Sequence, residues 1–413
     1  MTIENMIPEI SFLDTELAFQ YKTTKELHNA HLLFSMMAKP WLVKMGTKVT
    51  PWAVRNKLPI NGLIKSTIFK QFAGGETLPE TKPVVEKLGK YKVQVILDYG
   101  VEGSDGSEED YNHAEQEFIK VIDYSATQPN IPFMSIKVTG LARFALLEKL
   151  EVLMKAQQGS LINRYNAALE QLDGPDREAW QRLEERLERI CHHAVDVNMG
   201  VLIDAEETWI QDPLDALVTL MMVSFNKEKA TVYNTAQLYR HDRLQFVKDC
   251  HEAAVSRGFI LGIKLVRGAY MEKERARAAE KGYPSPIQPN KESTDRDFDA
   301  TVDFCMENLD KVSVLVCTHN ENSNLNVVKH LQSKGLPFGH PHVFLSQLYG
   351  MSDNITFNLA HAGCNVSKYL PFGPVADVIP YLMRRAEENT SVKGQTSREL
   401  SLITKELKRR KNN

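Results

Sequence analysis

The sequence predicts an α/β fold: a distorted (βα)8 TIM barrel with an N-terminal helical arm, a helical insertion after the second strand and a final helix over the barrel mouth. Three observations carry this expectation. Eight short, mainly apolar runs recur along the 413 residues, such as ILGIKLV at 260–266 and SVLVCT at 313–318. Segments with apolar residues at helical spacing lie between most of them, as in HDRLQFVKDCHEAAVSR at 241–257. Apolar runs separated by helices are the pattern of parallel strands buried on both faces. No G-x-G-x-x-G turn follows any run, which weighs against an open doubly wound sheet.

The strands are predicted at 93–98, 133–138, 200–204, 231–236, 260–266, 313–318, 342–346 and 364–369. Residues 1–92 form the predicted arm, with helical spacing from residue 13 onward. Trp41, Pro51 and Trp52 suggest short helices there, and GGE at 74–76 marks a turn. The barrel is predicted over 93–392. Residues 141–198 interrupt it and read as a helical hairpin broken at Asp173–Gly174–Pro175. Residues 393–413 read as a polar tail, with KELKRRK at 405–411 solvated and frayed. No period of 20–50 residues repeats, which argues against a solenoid.

Composition narrows the function. Hydrophobic residues make up 43% of the chain, enough for a sizeable core. The net charge of −3 gives no global electrostatic case for nucleic acid or an anionic membrane. Cys191, Cys250, Cys305, Cys317 and Cys364 are odd in number and lack metal-ligand spacing, so a reducing compartment is expected. The N-terminus reads as having neither a signal peptide nor a transit peptide, and no segment reads as membrane-spanning.

A barrel of this kind builds its active site at the C-terminal ends of its strands. Asp98 and Glu102 stand at or beyond the first, Lys137 on the second, and Asp204, Ala205 and Glu206 at the third. Gln237 and Tyr239 follow the fourth, and Lys264, Arg267 and Tyr270 belong to the fifth. Thr318, His319 and Asn320 end the sixth, Gln347, Leu348 and Tyr349 the seventh, Lys368 and Tyr369 the eighth. Any one of them could merely cap a helix or meet water. Together they supply several cations and few unpaired acids, which suits an anionic ligand: a phosphate-bearing cofactor or a carboxylate. A catalytic metal is not expected, since the one H-x-H, His340–Pro341–His342, lies at the start of a strand. Lys137 and Lys264 leave a Schiff-base lyase open.

The final helix, VADVIPYLMRRAEEN at 375–389, places Val375, Val378, Ile379, Leu382, Met383 and Ala386 on one face. Asp377, Tyr381, Arg384 and Glu388 share the other, with Arg385 beside them. By pattern alone this face is solvated, with an Arg384–Glu388 pair worth about 0.3–0.5 kcal/mol. The alternative is that it covers the barrel mouth, where adjacent arginines could hold a carboxylate.

SIKVTG at 135–140, LIDAEE at 202–207, NTAQLY at 234–239, KLVRGAY at 264–270, THN at 318–320 and YLMRRAEEN at 381–389 occur in an order that resembles the proline dehydrogenase family. The resemblance runs from about residue 30 to residue 392 and looks more like the single-function, mitochondrial-type branch. It implies a barrel that binds FAD non-covalently, oxidises L-proline to Δ1-pyrroline-5-carboxylate and passes electrons to a quinone or another acceptor. It further implies that Lys137, Arg384 and Arg385 bind the carboxylate, that Tyr369 and Leu348 pack on the ring, and that Asp204 and Ala205 line the site. Gln237, Lys264, Val266, Arg267, Gly268, Ala269, Thr318 and His319 would contact FAD. Tyr270 would support them, Glu388 would lie near the ribose, and Glu102 would gate Arg384. A cytoplasmic location, with room for peripheral contact at the inner face of a membrane, is the accompanying expectation. The alternatives are a 4-hydroxyproline dehydrogenase, a Schiff-base lyase, or a non-catalytic barrel.

Overall fold

The computed structural model describes residues 10–55, 61–100, 106–391 and 395–412. The arm comprises α1 (Thr15–Phe19), α2 (Thr24–Met37), α3 (Pro40–Arg55), α4 (Asn61–Ile64), α5 (Lys70–Phe72) and α6 (Leu78–Gly89), with a π turn at Lys65–Phe69. There follow β1 (Gln94–Tyr99), α7 (Glu108–Ala126), β2 (Phe133–Ile136), α8 (Phe144–Lys155), α9 (Leu161–Leu169), α10 (Gly174–Asp196), β3 (Gly200–Ile203), α11 (Thr208–Phe225) and β4 (Val232–Gln237). The chain continues with α12 (Arg243–Arg257), β5 (Leu261–Val266), α13 (Met271–Lys281), α14 (Lys291–Glu307), β6 (Val312–Cys317), α15 (Glu321–Ser333), β7 (Val343–Leu348), α16 (Asp353–His361), β8 (Val366–Phe372), α17 (Val375–Ser391) and α18 (Gln395–Asn412). The eight strands form a closed barrel in sequence order. The predicted fold class therefore holds, and each predicted strand overlaps an observed one.

Two compact parts divide the chain. The first comprises residues 96–318 with 341–343. Its strands β3 and β4 are buried at every position, as expected for strands covered on both faces. Several of its buried polar residues pair across elements. Asp215 on α11 accepts from Asn234 of β4 at 3.0 Å and from Arg243 of α12 at 2.7 Å. Glu274 on α13 accepts from the Thr208 amide and hydroxyl, both at 2.7 Å, which caps α11 from another helix. The predicted hairpin at 141–198 is corrected: α8, α9 and α10 are three helices. Asp173 caps α10 at the expected break, accepting from the Asp176 amide at 3.0 Å. The missed break is Gly159–Ser160, where Gly159 has φ +105° and Ser160 caps α9.

The second part comprises the residues up to 95, residues 319–340, and residues 344 onward. Its apolar core joins Phe19, Leu27, Phe34 and Phe72 of the arm to Val378, Ile379 and Leu382 of α17 and to Leu402 and Ile403 of α18. The frayed polar tail is thereby corrected. Glu406 is fully buried and pairs with Arg409 and Arg410, and Arg410 donates to the Phe19 and Lys22 carbonyls at 2.8 Å. Acid and base one turn apart neutralise each other, so the charged run docks as a helix.

A buried ion group ties the same part together. Asp353, at the start of α16, lies 3.0 Å from Lys22 of the arm and 3.0 Å from Lys368 of β8, and accepts from the Tyr21 hydroxyl at 2.8 Å. Burial raises the Asp353 carboxyl, but Lys22 and Lys368 outweigh it and hold it down at about 2. Asp353→Asn leaves two buried cations without their anion, so unfolding in urea should show a loss of about 3–5 kcal/mol. A loss below about 1 kcal/mol would contradict the arrangement. The wild-type contribution stands above the unfolded value near 3.8 and fades as pH falls through about 2.

Candidate active site

In the first part, the C-terminal strand ends gather a charge cluster. Lys264 of β5 is 4% exposed and is paired in register with Thr235 of β4 and Leu315 of β6. Its ammonium pairs with Asp204, just beyond β3, and the Ser135 hydroxyl of β2 donates to the same carboxylate oxygen. Burial pushes the Asp204 carboxyl up. The charges of Lys264 and Lys137 pull it down further, so it stays below its ordinary value and remains an anion. Lys137 stands half-buried at the start of the 3-10 turn Val138–Gly140 that follows β2.

The next residues fix this cluster. Glu206 accepts from the Thr139 amide at 3.2 Å and its hydroxyl at 2.7 Å, joining the turns after β2 and β3. Burial pushes the Glu206 carboxyl up to about 7. Gln237, at the end of β4, donates to the Glu206 carbonyl at 2.8 Å and accepts from the Ala269 amide at 3.2 Å. The β4–β5 ladder extends past the strands: Leu238 donates to the Val266 carbonyl and Tyr239 to that of Arg267. Arg267 donates to Asp295 at 2.7 Å and to Thr318 at 2.6 Å, with its guanidinium 4.2 Å from the Phe298 ring centroid. Gly268 has φ +131°, and a Cβ there would meet the Tyr239 ring at 2.5 Å, so only glycine fits. Ala205 is half-buried, and Tyr270 precedes α13. The predicted residues of this part thus form one connected array.

The second part holds the remainder. Leu348 of β7 and Tyr369 of β8 are register partners, with the Tyr349 amide donating to the Tyr369 carbonyl at 2.9 Å. Lys368 is fully buried, and alternation along the strand puts it on the opposite face from Tyr369. His319 shares a hydrogen bond of 2.8 Å between Nδ1 and the Ser352 hydroxyl. On α17 the solvated-face expectation fails where it matters: Arg385 and Tyr381 are each 8% exposed, with the guanidinium 5.1 Å from the ring centroid. Arg384 is half-buried. Sequence reasoning placed Tyr381 on the polar face and gave it no role, whereas it joins the apolar core beside Val378 and Leu382. Ser352 and Glu399 were not singled out at all. Glu102 and the Glu388 side chain lie outside the described residues.

A family model described as Proline dehydrogenase matches residues 81–398. Similar curated proteins include Hydroxyproline dehydrogenase of Xenopus laevis, 33% identical over 97% of this chain and 90% of that protein. Carbapenem antibiotics biosynthesis protein CarD of Pectobacterium carotovorum subsp. carotovorum is 33% identical over 84% of this chain and 86% of its own. Proline dehydrogenase 1, mitochondrial, of Dictyostelium discoideum is 30% identical over 96% and 75% respectively. Among solved structures, proline utilization A from Bdellovibrio bacteriovorus is similar with a TM-score of 0.69 at 20% identity. The match covers 92% of this chain but 38% of that one, and it speaks for the fold alone.

Glu206 offers a test of the site's electrostatics. Its carboxyl lies near 7 in the fold against an ordinary 4.5, so the native state favours the protonated form. That stabilisation is complete below about 4.5 and is lost as pH rises through about 7. Glu206→Gln stays neutral and keeps an oxygen for the Thr139 amide. Relative to wild type, its unfolding free energy should rise by on the order of 3 kcal/mol between about pH 5 and about pH 8. A difference that does not vary with pH would contradict the burial-driven shift.

Proposed function

We infer that this chain, which belongs to the proline dehydrogenase family, oxidises L-proline to Δ1-pyrroline-5-carboxylate with non-covalent FAD and passes the electrons to a quinone or another carrier. The observation that carries the reading is the cluster of Lys137, Asp204 and Lys264 at the ends of three strands. Two ammonium groups at the strand ends offer charge-assisted donors, suited to an anionic ligand.

The side chains present fit FAD. Arg267 and Thr318 offer donors for a pyrophosphate, the missing Cβ of Gly268 admits close backbone approach, and Lys264 and Gln237 stand at the strand ends beside them. Val266, Ala269, His319 and Glu388 complete the proposed cofactor contacts, and Tyr270 supports them. When bound, FAD supplies the acceptor for the hydride leaving the ring carbon beside the proline nitrogen. The chain's own residues bind and orient. Lys137, Arg384 and Arg385 hold the carboxylate, Tyr369 and Leu348 pack on the ring, and Asp204 and Ala205 line the site. Tyr381 braces Arg385 through its ring face. Glu102, outside the described residues, is proposed as the gate. Holding the reacting carbon in one orientation supplies a large share of the rate for such a step.

Relatives named hydroxyproline dehydrogenase, at 33% and 32% identity, favour 4-hydroxyproline as the second reading. Relatives named mitochondrial favour that compartment as the alternative to the cytoplasm read from the sequence. A membrane-borne quinone implies peripheral contact with a membrane. Among the described residues no helix is long and apolar enough to cross one.

The test is anaerobic addition of substrate to the purified flavoprotein. L-proline should bleach the flavin faster than 4-hydroxyproline does. The reverse order would establish the second reading, and a protein that takes up no flavin would sink both. Arg385→Met should then lose roughly ten- to a hundredfold in kcat/KM for proline, the worth of one charge-assisted bond at about 1.5–3 kcal/mol. Pyrrolidine, which lacks the carboxylate, should be oxidised almost as before. An equal loss on both would show that Arg385 does not read the carboxylate.

A further inference from the structure

The loop between β7 and α16 has an unusual end. Ser352 precedes α16 with φ 52° and ψ 42°, a left-handed conformation that residues with a Cβ adopt reluctantly. It is 2% exposed and makes no capping bond to its own helix. A serine at this position ordinarily turns its hydroxyl onto the helix it begins. Here both polar groups are committed elsewhere. The amide donates to Glu399 Oε1 at 2.6 Å, and the hydroxyl meets His319 Nδ1 at 2.8 Å. Glu399 is 4% exposed and comes from α18, the helix that sequence reading took for a solvated tail.

A second contact from α18 reaches the same loop. Arg398 donates to Glu321 at 3.0 Å, and Asn354 of α16 donates to the same carboxylate at 3.0 Å. Glu321 begins α15, two residues after His319. The first turns of α18 therefore grip the His319–Glu321 segment both directly and through Ser352.

We propose that Glu399 is a positioning residue for His319: it holds Ser352 in the left-handed conformation, and Ser352 fixes the imidazole through Nδ1. The consequence for catalysis rests on the flavin-contact role proposed for His319 above. The C-terminal helix is then part of what orients the cofactor.

The test compares Glu399→Gln, which keeps an acceptor oxygen, with Glu399→Leu, which has none. Nitrogen-15 spectra of histidine-labelled protein report the tautomer and hydrogen bonding of His319, assigned by His319→Gln. Glu399→Gln should leave the His319 signals in place, while Glu399→Leu and Ser352→Ala should shift both ring nitrogens towards free imidazole values. In anaerobic reduction by proline, Glu399→Leu should slow the flavin step about tenfold, with KM for proline within about twofold. Placed in the His319→Gln background, Glu399→Leu should add less than about twofold, because the two residues act in series. Unchanged His319 signals in Glu399→Leu, or effects that multiply in the double variant, would overturn the proposal. If Glu399→Leu does not fold, Ser352→Ala gives the same two readouts and is judged by the same outcomes. If proline fails to reduce the wild-type flavin, the proposed function falls, while the nitrogen spectra still decide the link between Glu399 and His319.

Discussion

The Lys264–Asp204 ion pair is the constraint around which the candidate site is organised. A carboxylate placed among buried groups is costly unless cations and donors surround it. Here the cations are Lys264 and Lys137, and the donor is Ser135. They come from β5, from the residue following β2, and from β2 itself, so the group can form only where parallel strands end side by side. Glu206 and Gln237 then lock the turns that present it. A well-packed apolar cluster of the same volume would be at least as stable. On the proposed function, these charges serve binding rather than folding.

Much of the barrel was legible because its strands are nearly continuous apolar runs, a pattern that depends on local sequence alone. The errors fall where local pattern misleads. The strand predicted at 342–346 runs to Leu348, because Gln347 is polar yet buried inside it, and that predicted at 364–369 runs on through Leu370 and Pro371 to Phe372. The buried polar residues of these strands are met by partners on other elements: Thr356 and Asn324 for Gln347, and Asp353 for Lys368. Helix α18 was missed because Leu400, Ile403 and Leu407, at helical spacing, stand among many charges whose mutual pairing the sequence does not display.

The same distinction divides the site. Strand-end residues such as Lys137, Asp204 and Lys264 could be collected by topology once the strands were placed. Arg384 and Arg385 were proposed from resemblance, since their helix wheel alone favoured a solvated face. Tyr381, Ser352 and Glu399 owe their positions to contacts that form only after folding. Glu399 lies 47 residues from Ser352, and Tyr21 lies 332 residues from the Asp353 it touches. The relatives' differing substrate names fit this picture. On the proposed function, a shared set of strand-end charges would read the carboxylate common to proline and hydroxyproline, and one extra hydroxyl would be distinguished by a polar group of the pocket.

The central claim is that the buried charges serve binding rather than folding, and a double-mutant cycle on Lys264 and Asp204 tests it most directly. Stability, FAD retention and the anaerobic reduction rate would be measured for Lys264→Met, Asp204→Asn and the combined variant. Asp204→Asn alone should destabilise by on the order of 3–5 kcal/mol, since it strands two cations. Adding Lys264→Met should recover a large part of that loss, while FAD retention and reduction by proline stay impaired. A combined variant that regains wild-type FAD retention and reduction would contradict the account.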